Sequence, residues 1–163
     1  MHNSDLNYLY ADKNLIFEFL ATFSRFEYAL KTAGYYLINK KRYEAKADWG
    51  KFTEEVSQNL NLEMSNKLKE AFSFILSYNL KLLGEIGNKS KLDWITFEID
   101  ENESDLSKVI RKIKQIRNNT FHGGKFLKPS ENVDNNTLLL KHSLTVLIEI
   151  KNLSKSVQDA YEN

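Results

Sequence analysis

The chain alternates long stretches of helix-spaced apolar residues with shorter stretches where that spacing fails. In "NLIFEFLATFSRFEYALKTAGYYLINKK", Leu15, Phe19, Phe23, Phe26 and Leu30 recur at intervals of three and four, and Ala33 and Leu37 continue the series. That period predicts one amphipathic helix of about six or seven turns, with Asp12 or Asn14 at its cap. A shorter pattern follows Asp48, where Trp49, Phe52, Val56 and Leu60 predict a helix of about two to three turns. Leu62, Leu68, Ala71, Phe72, Ile75 and Leu76 define another. The next stretch, "LGEIGNKSKLDWITFEIDENE", breaks the period with glycines, lysines and acids. Its "WITFEI" centre has strand character, but a lone strand has no partner, so a structured loop is expected. Helical spacing returns with Leu106, Val109, Ile110, Ile113 and Ile116, between a Ser104 cap and a Gly123-Gly124 stop. A loop containing Pro129 leads into a long last helix carrying Leu139, Leu140, Leu144, Leu147, Ile148 and Leu153. The expected fold class is all-α: one domain over residues 1–163, an up-and-down bundle of four main helices plus one short helix.

Composition narrows the function classes. One proline and six glycines argue against an all-β plan full of tight turns. The net charge of +1 supplies no field that would draw the whole molecule to a polyanion, so any such binding rests on a local patch. With no cysteine there are no disulfides and no thiolate metal sites. No clustered His/Cys/Asp/Glu set is visible either, and neither metal nor other cofactor is expected. No apolar run approaches the ~18 residues of a membrane span. The opening "MHNSDLNYLYADKN" lacks the basic-then-apolar layout of a secretory signal. The expectation is a cytoplasmic protein without a membrane segment.

The informative chemistry lies in "KQIRNNTFHGGKF", residues 114–126. With Ile113 at the centre of the apolar face of this helix, Arg117 falls about 40° off centre. A guanidinium cannot lose its proton, so it must snorkel outward or meet an anion. On a straight helix His122 would sit about 140° around from Arg117 and about 7.5 Å further along the axis. The two groups converge if the last turn unwinds at Gly123 and Gly124, or if the same motif from a second chain faces them. A histidine at a helix C-terminus is favoured as the imidazolium. Beside a fixed cation it suits phosphodiester cleavage, one group moving a proton while the other takes the charge growing on oxygen. The bland alternative is a helix end with an Arg-capped carbonyl and an exposed histidine.

At the end of a helix in a helical domain, this motif resembles the signature of the HEPN superfamily, which is Arg, a polar residue, a short gap and His. Arg117, Asn118 and His122 match it, with Asn119, Thr120 and Phe121 in the gap. The first helix, "FSRFEYALKTAGYYL", is also similar to the opening helix of stand-alone bacterial members. The resemblance implies a metal-independent endoribonuclease of toxin–antitoxin or anti-phage systems, with a composite site in a homodimer, an RNA substrate and in some systems an antitoxin partner. By it, His122 would activate the 2′-hydroxyl or protonate the leaving 5′-oxygen, Arg117 would bind the scissile phosphate, and Asn118 would orient either. Some relatives carry a tyrosine two residues after the histidine as a modification target; Gly124 stands there, so that mode of inhibition is not implied. Other members are non-catalytic modules that bind protein, RNA or nucleotide.

Glu27 lies on the apolar stripe of the first helix, and a buried carboxylate needs a partner. Pairing with Arg117 would hold the motif cation in place; Arg111 or a lysine would serve as well without catalytic meaning. Lys112, Lys114, Lys125 and Lys128 surround the motif either as a phosphate-steering patch, with Lys114 and Lys125 touching RNA, or as a plain solvated face. Asn119 is a supporting candidate.

Overall fold

The computed structural model describes residues 11–87, 91–121 and 133–163. Helix α1 (Lys13–Thr32) begins where the Asp12 carboxylate accepts the backbone N–H groups of Asn14 and Leu15, both at 3.0 Å. These donors have no partner inside the helix, and the cap satisfies them. The helix stops at Thr32 rather than running on through Leu37. Gly34 takes φ +92°, open to a residue without Cβ, and Tyr35 N–H reaches back to the Leu30 carbonyl at 2.8 Å. The chain then enters an antiparallel hairpin of β1 (Tyr36–Asn39) and β2 (Glu44–Ala47). Leu37 fits the spacing of α1 yet lies 59% exposed in a strand. In the connecting loop, the Asn39 carbonyl accepts from Arg42 and Tyr43 N–H at 3.1 and 2.7 Å. Tyr43 sits at φ +53°, which costs a residue with a Cβ about 1–2 kcal/mol.

Asp48 caps α2 (Trp49–Glu63) by accepting from Lys51 N–H at 3.0 Å. Ser65 starts α3 (Asn66–Ser77), its hydroxyl accepting from Leu68 N–H at 3.1 Å, so Leu62 belongs to α2. The stretch expected to be a loop is a second antiparallel hairpin, β3 (Lys81–Ile86) with β4 (Lys91–Thr96). Only the first half of "WITFEI", Trp94–Thr96, is strand; it forms the end of "KLDWIT", whose partner is "KLLGEI", with Leu83 opposite Trp94. Helix α4 (Asp105–Phe121) follows Ser104, whose hydroxyl accepts from Ser107 N–H at 3.3 Å. The last helix is not continuous. Helix α5 (Val133–Ile150) gives way to a 3-10 turn at Lys151–Leu153, and α6 (Lys155–Glu162) starts after it. Helix α6 is held to α1 by Arg25, whose Nε donates to the Tyr161 carbonyl at 2.6 Å. The Arg25 guanidinium and the Lys151 ammonium both lie over the Tyr161 ring, at 5.1 and 4.8 Å.

The all-α bundle of four main helices plus one short helix therefore does not hold. The described residues form a mixed α/β fold of six α-helices and two separate two-stranded sheets. All six helices still meet in one core, through Phe26, Phe52, Ile75, Ile113, Leu147 and Val157, each 0% exposed. Phe26 stacks on Trp49 at 5.0 Å and meets Phe52 edge-on at 5.6 Å. Among the described residues no helix is long and apolar enough to cross a membrane.

Candidate functional site

Arg117 occupies the last full turn of α4, half-buried, on the side of the helix that turns toward α1. Its guanidinium carbon lies 5.7 Å from the centre of the Phe23 ring and 5.3 Å from that of Phe121. Phe23 is a core residue at 2% exposure, whereas Phe121 is 63% exposed. This is how a permanent cation is accommodated beside an apolar face: aromatic rings offer it their negative faces. Nη1 also donates to Asn118 Oδ1 at 3.3 Å. The ion pairs among the described residues involve Lys108, Arg111, Lys151 and Lys155, and none includes Arg117.

Glu27 is half-buried on α1, and its partner is not Arg117. It accepts a hydrogen bond from Trp49 Nε1 at 3.3 Å. The indole of Trp49 packs against Phe23 at 5.5 Å between ring centres. Glu27 is thus linked to Arg117 only at one remove, through the indole that packs on the ring beneath the guanidinium.

Asn119 is 7% exposed, and both ends of its amide are engaged. Oδ1 accepts from Gln115 Nε2 at 2.7 Å and Nδ2 donates to the Lys81 carbonyl at 2.8 Å. It ties the last turn of α4 to the first residue of β3. Asn118 and Lys114 are exposed. His122, Lys125, Lys128 and the glycine pair Gly123-Gly124 lie outside the described residues.

Lys112 takes no part in a surface patch. Its ammonium reaches the C-terminal end of α3 and donates to the carbonyls of Ile75, Leu76 and Tyr78 at 3.0, 2.6 and 2.9 Å. Burial lowers its pKa from the usual 10.5, with Glu101 pulling it back up. Near the start of α4, a groove is lined by Glu98, Glu101, Asp105 and Lys108 among others. There Lys108 is already matched, 3.8 Å from both Glu101 and Asp105, so the groove offers an anion less than Arg117 does.

Sequence reasoning missed the two rings that bed Arg117. Phe121 carried a signal, since it stands one turn after Arg117 at the i,i+4 spacing that brings side chains together. Phe23 carried none beyond its place in a core stripe, because its contact with Arg117 crosses between helices.

Fold and site together define a small helical domain with two appended β-hairpins and an aromatic-bedded arginine at a helix end. Compared with protein-family models, with curated proteins and with solved structures, the chain matches none.

Proposed function

We propose that the chain is a metal-independent endoribonuclease of the HEPN type, a cytoplasmic toxin or phage-defence component acting as a homodimer with a composite site. One observation carries this reading. The Arg117 guanidinium is held over two rings at a helix end, and no carboxylate among the described residues neutralises it. A cation placed so is available to an anion from outside, and its planar fork suits phosphate. In the proposed reaction the RNA 2′-oxygen attacks phosphorus, the bond to the 5′-oxygen breaks, and a 2′,3′-cyclic phosphate and a 5′-hydroxyl result. His122 takes the proton from the 2′-hydroxyl or delivers one to the 5′-oxygen, and water carries the other half of the proton exchange. Arg117 stabilises the charge on the phosphoryl oxygens, and Asn118, already bonded to it, steadies the fork. Glu27 and Asn119 support from behind, by fixing Trp49 and by tying α4 to β3. In the toxin role an antitoxin protein is the natural partner.

The second reading is a non-catalytic module that binds RNA, a nucleotide or a partner protein. It is favoured by the same setting of Arg117, since a cation bedded on two rings with no carboxylate partner among the described residues can hold an anion without any proton transfer. Purified wild-type, Arg117→Ala and His122→Ala proteins, incubated with RNA in EDTA, separate the two. The ribonuclease reading expects cyclic-phosphate ends from wild type, with rates reduced about 10²-fold or more in each variant. It also expects slowed growth on expression of wild type alone. Intact RNA and unimpaired growth with wild type would leave the module reading in its place.

A further inference from the structure

The β1–β2 hairpin carries a cluster of side chains that the fold does not use. Tyr36, Leu37 and Ile38 are 48%, 59% and 49% exposed, and Tyr43 is 87% exposed. Lys40, Lys41 and Arg42 form the loop, and Lys46 follows on β2, all exposed. Residues 36–47 therefore hold four cations against one carboxylate, Glu44, a net +3 in a chain whose total is +1. Among the described residues none of these cations enters an ion pair. Tyr43 adds a second, independent oddity. It holds the left-handed conformation that disfavours bulky residues, and its ring gains almost no burial there.

We propose that this hairpin is a docking surface for single-stranded RNA, with phosphates on Lys40, Lys41 and Arg42 and a base stacked on Tyr43. The inference deepens the ribonuclease reading by naming where the substrate strand is held, and it rests on that reading for RNA as the polyanion. Basic side chains interleaved with exposed aromatic rings are what an unpaired strand requires, since every base has a face to stack. An anionic membrane fits less well. The tip that would enter first is three cations and a single tyrosine, while the apolar Leu37 and Ile38 lie back along β1.

The test is fluorescence anisotropy with a labelled single-stranded RNA of about twelve nucleotides, across a salt series, using His122→Ala protein in EDTA so that the strand stays whole. Into it go Lys40→Ala/Lys41→Ala/Arg42→Ala as one variant and Tyr43→Gly as another, each checked for fold by circular dichroism. The triple variant should flatten the slope of log affinity against log salt by about 2, at about 0.7 per phosphate lost. Tyr43→Gly should weaken binding about fivefold or more while leaving the urea midpoint unchanged or higher, because glycine is at ease at positive φ. Unchanged affinity and slope in both variants would overturn the proposal. So would wild-type binding to phosphatidylserine vesicles or to polyglutamate as tight as to RNA. Cleavage by the His122-intact proteins is scored separately. Cutting with an unimportant hairpin sinks only this inference, and hairpin-dependent binding without cutting sinks only the ribonuclease reading.

Discussion

Lys112→Met tests the most specific energetic statement the fold makes. The Lys112 ammonium donates to three carbonyls at and just beyond the C-terminal end of α3, those of Ile75, Leu76 and Tyr78. The last carbonyls of a helix have no partner inside it, and the helix dipole favours a cation there. Methionine keeps most of the aliphatic stem packed between α3 and α4 but removes all three donors. Three carbonyls losing a partner at about 1 kcal/mol each make a gross loss of about 3 kcal/mol. Removing a partly desolvated charge offsets a fraction of that, leaving a net loss of about 2 kcal/mol. Urea denaturation near neutral pH measures it as a lowered midpoint with an unchanged slope. Lys114→Met, two residues on and exposed, is the control and should move stability by no more than about 0.5 kcal/mol. A Lys112→Met protein no less stable than the Lys114→Met protein would refute the capping account.

Asn119→Ala strands the Lys81 carbonyl and the Gln115 amide. It should cost about 1–3 kcal/mol, with amide exchange speeding up in β3 and β4 while α1 keeps its protection. Tyr161→Leu removes the ring beneath Arg25 and Lys151, a loss of about 1–2 kcal/mol from two cation–aromatic contacts. The loss should appear in thermal melts and shrink when Arg25 and Lys151 are already alanine. Burial raises the Tyr78 phenol above its usual 10.0. Burial likewise raises Tyr35, with Ser154 opposing and Glu55 reinforcing. The unfolded chain therefore gives up these protons first, so the stability they contribute is fully present below pH 10.0 and drains away as pH rises through the raised values. Tyr35→Phe/Tyr78→Phe protein should lose less stability across that window, read by denaturation at stepped alkaline pH.

The helices were legible because their buried faces repeat. Phe19, Phe23, Phe26 and Leu30 on α1, and Leu106, Val109, Ile110, Ile113 and Ile116 on α4, are all in the core. The hairpins were not, for two reasons. Leu37 continues the spacing of α1 by coincidence, and the single residue that ends the helix, Gly34, looks unremarkable inside a periodic stretch. In β3, Leu82 and Leu83 follow α3 closely, while the charged and glycine positions around them hide the alternation that would mark a strand. The break between α5 and α6 has no proline or glycine to announce it; it falls at Lys151–Leu153, before Ser154. At the candidate site, the departure of Arg117 from a pure core face was readable from helical geometry. Half of its aromatic bed was readable too, since Phe121 stands at i,i+4 on the same helix; the Phe23 half was not, because a contact between α4 and α1 depends on how two helices cross, and spacing within one chain segment does not encode that. Glu27 illustrates the same limit. Its need for a partner could be foreseen, but its choice of an indole N–H over a guanidinium could not.

Phe23 stands in two places at once, sealed within the hydrophobic interior on one side and forming the floor under Arg117 on the other. There is consequently no buffer layer between what keeps the domain folded and what would greet an incoming anion. A substitution at Trp49 or Phe19, each buried and packed on that ring, should therefore lower the melting temperature and displace the arginine together. The setting of Arg117 and the interior beneath it are one packing problem, and neither changes alone.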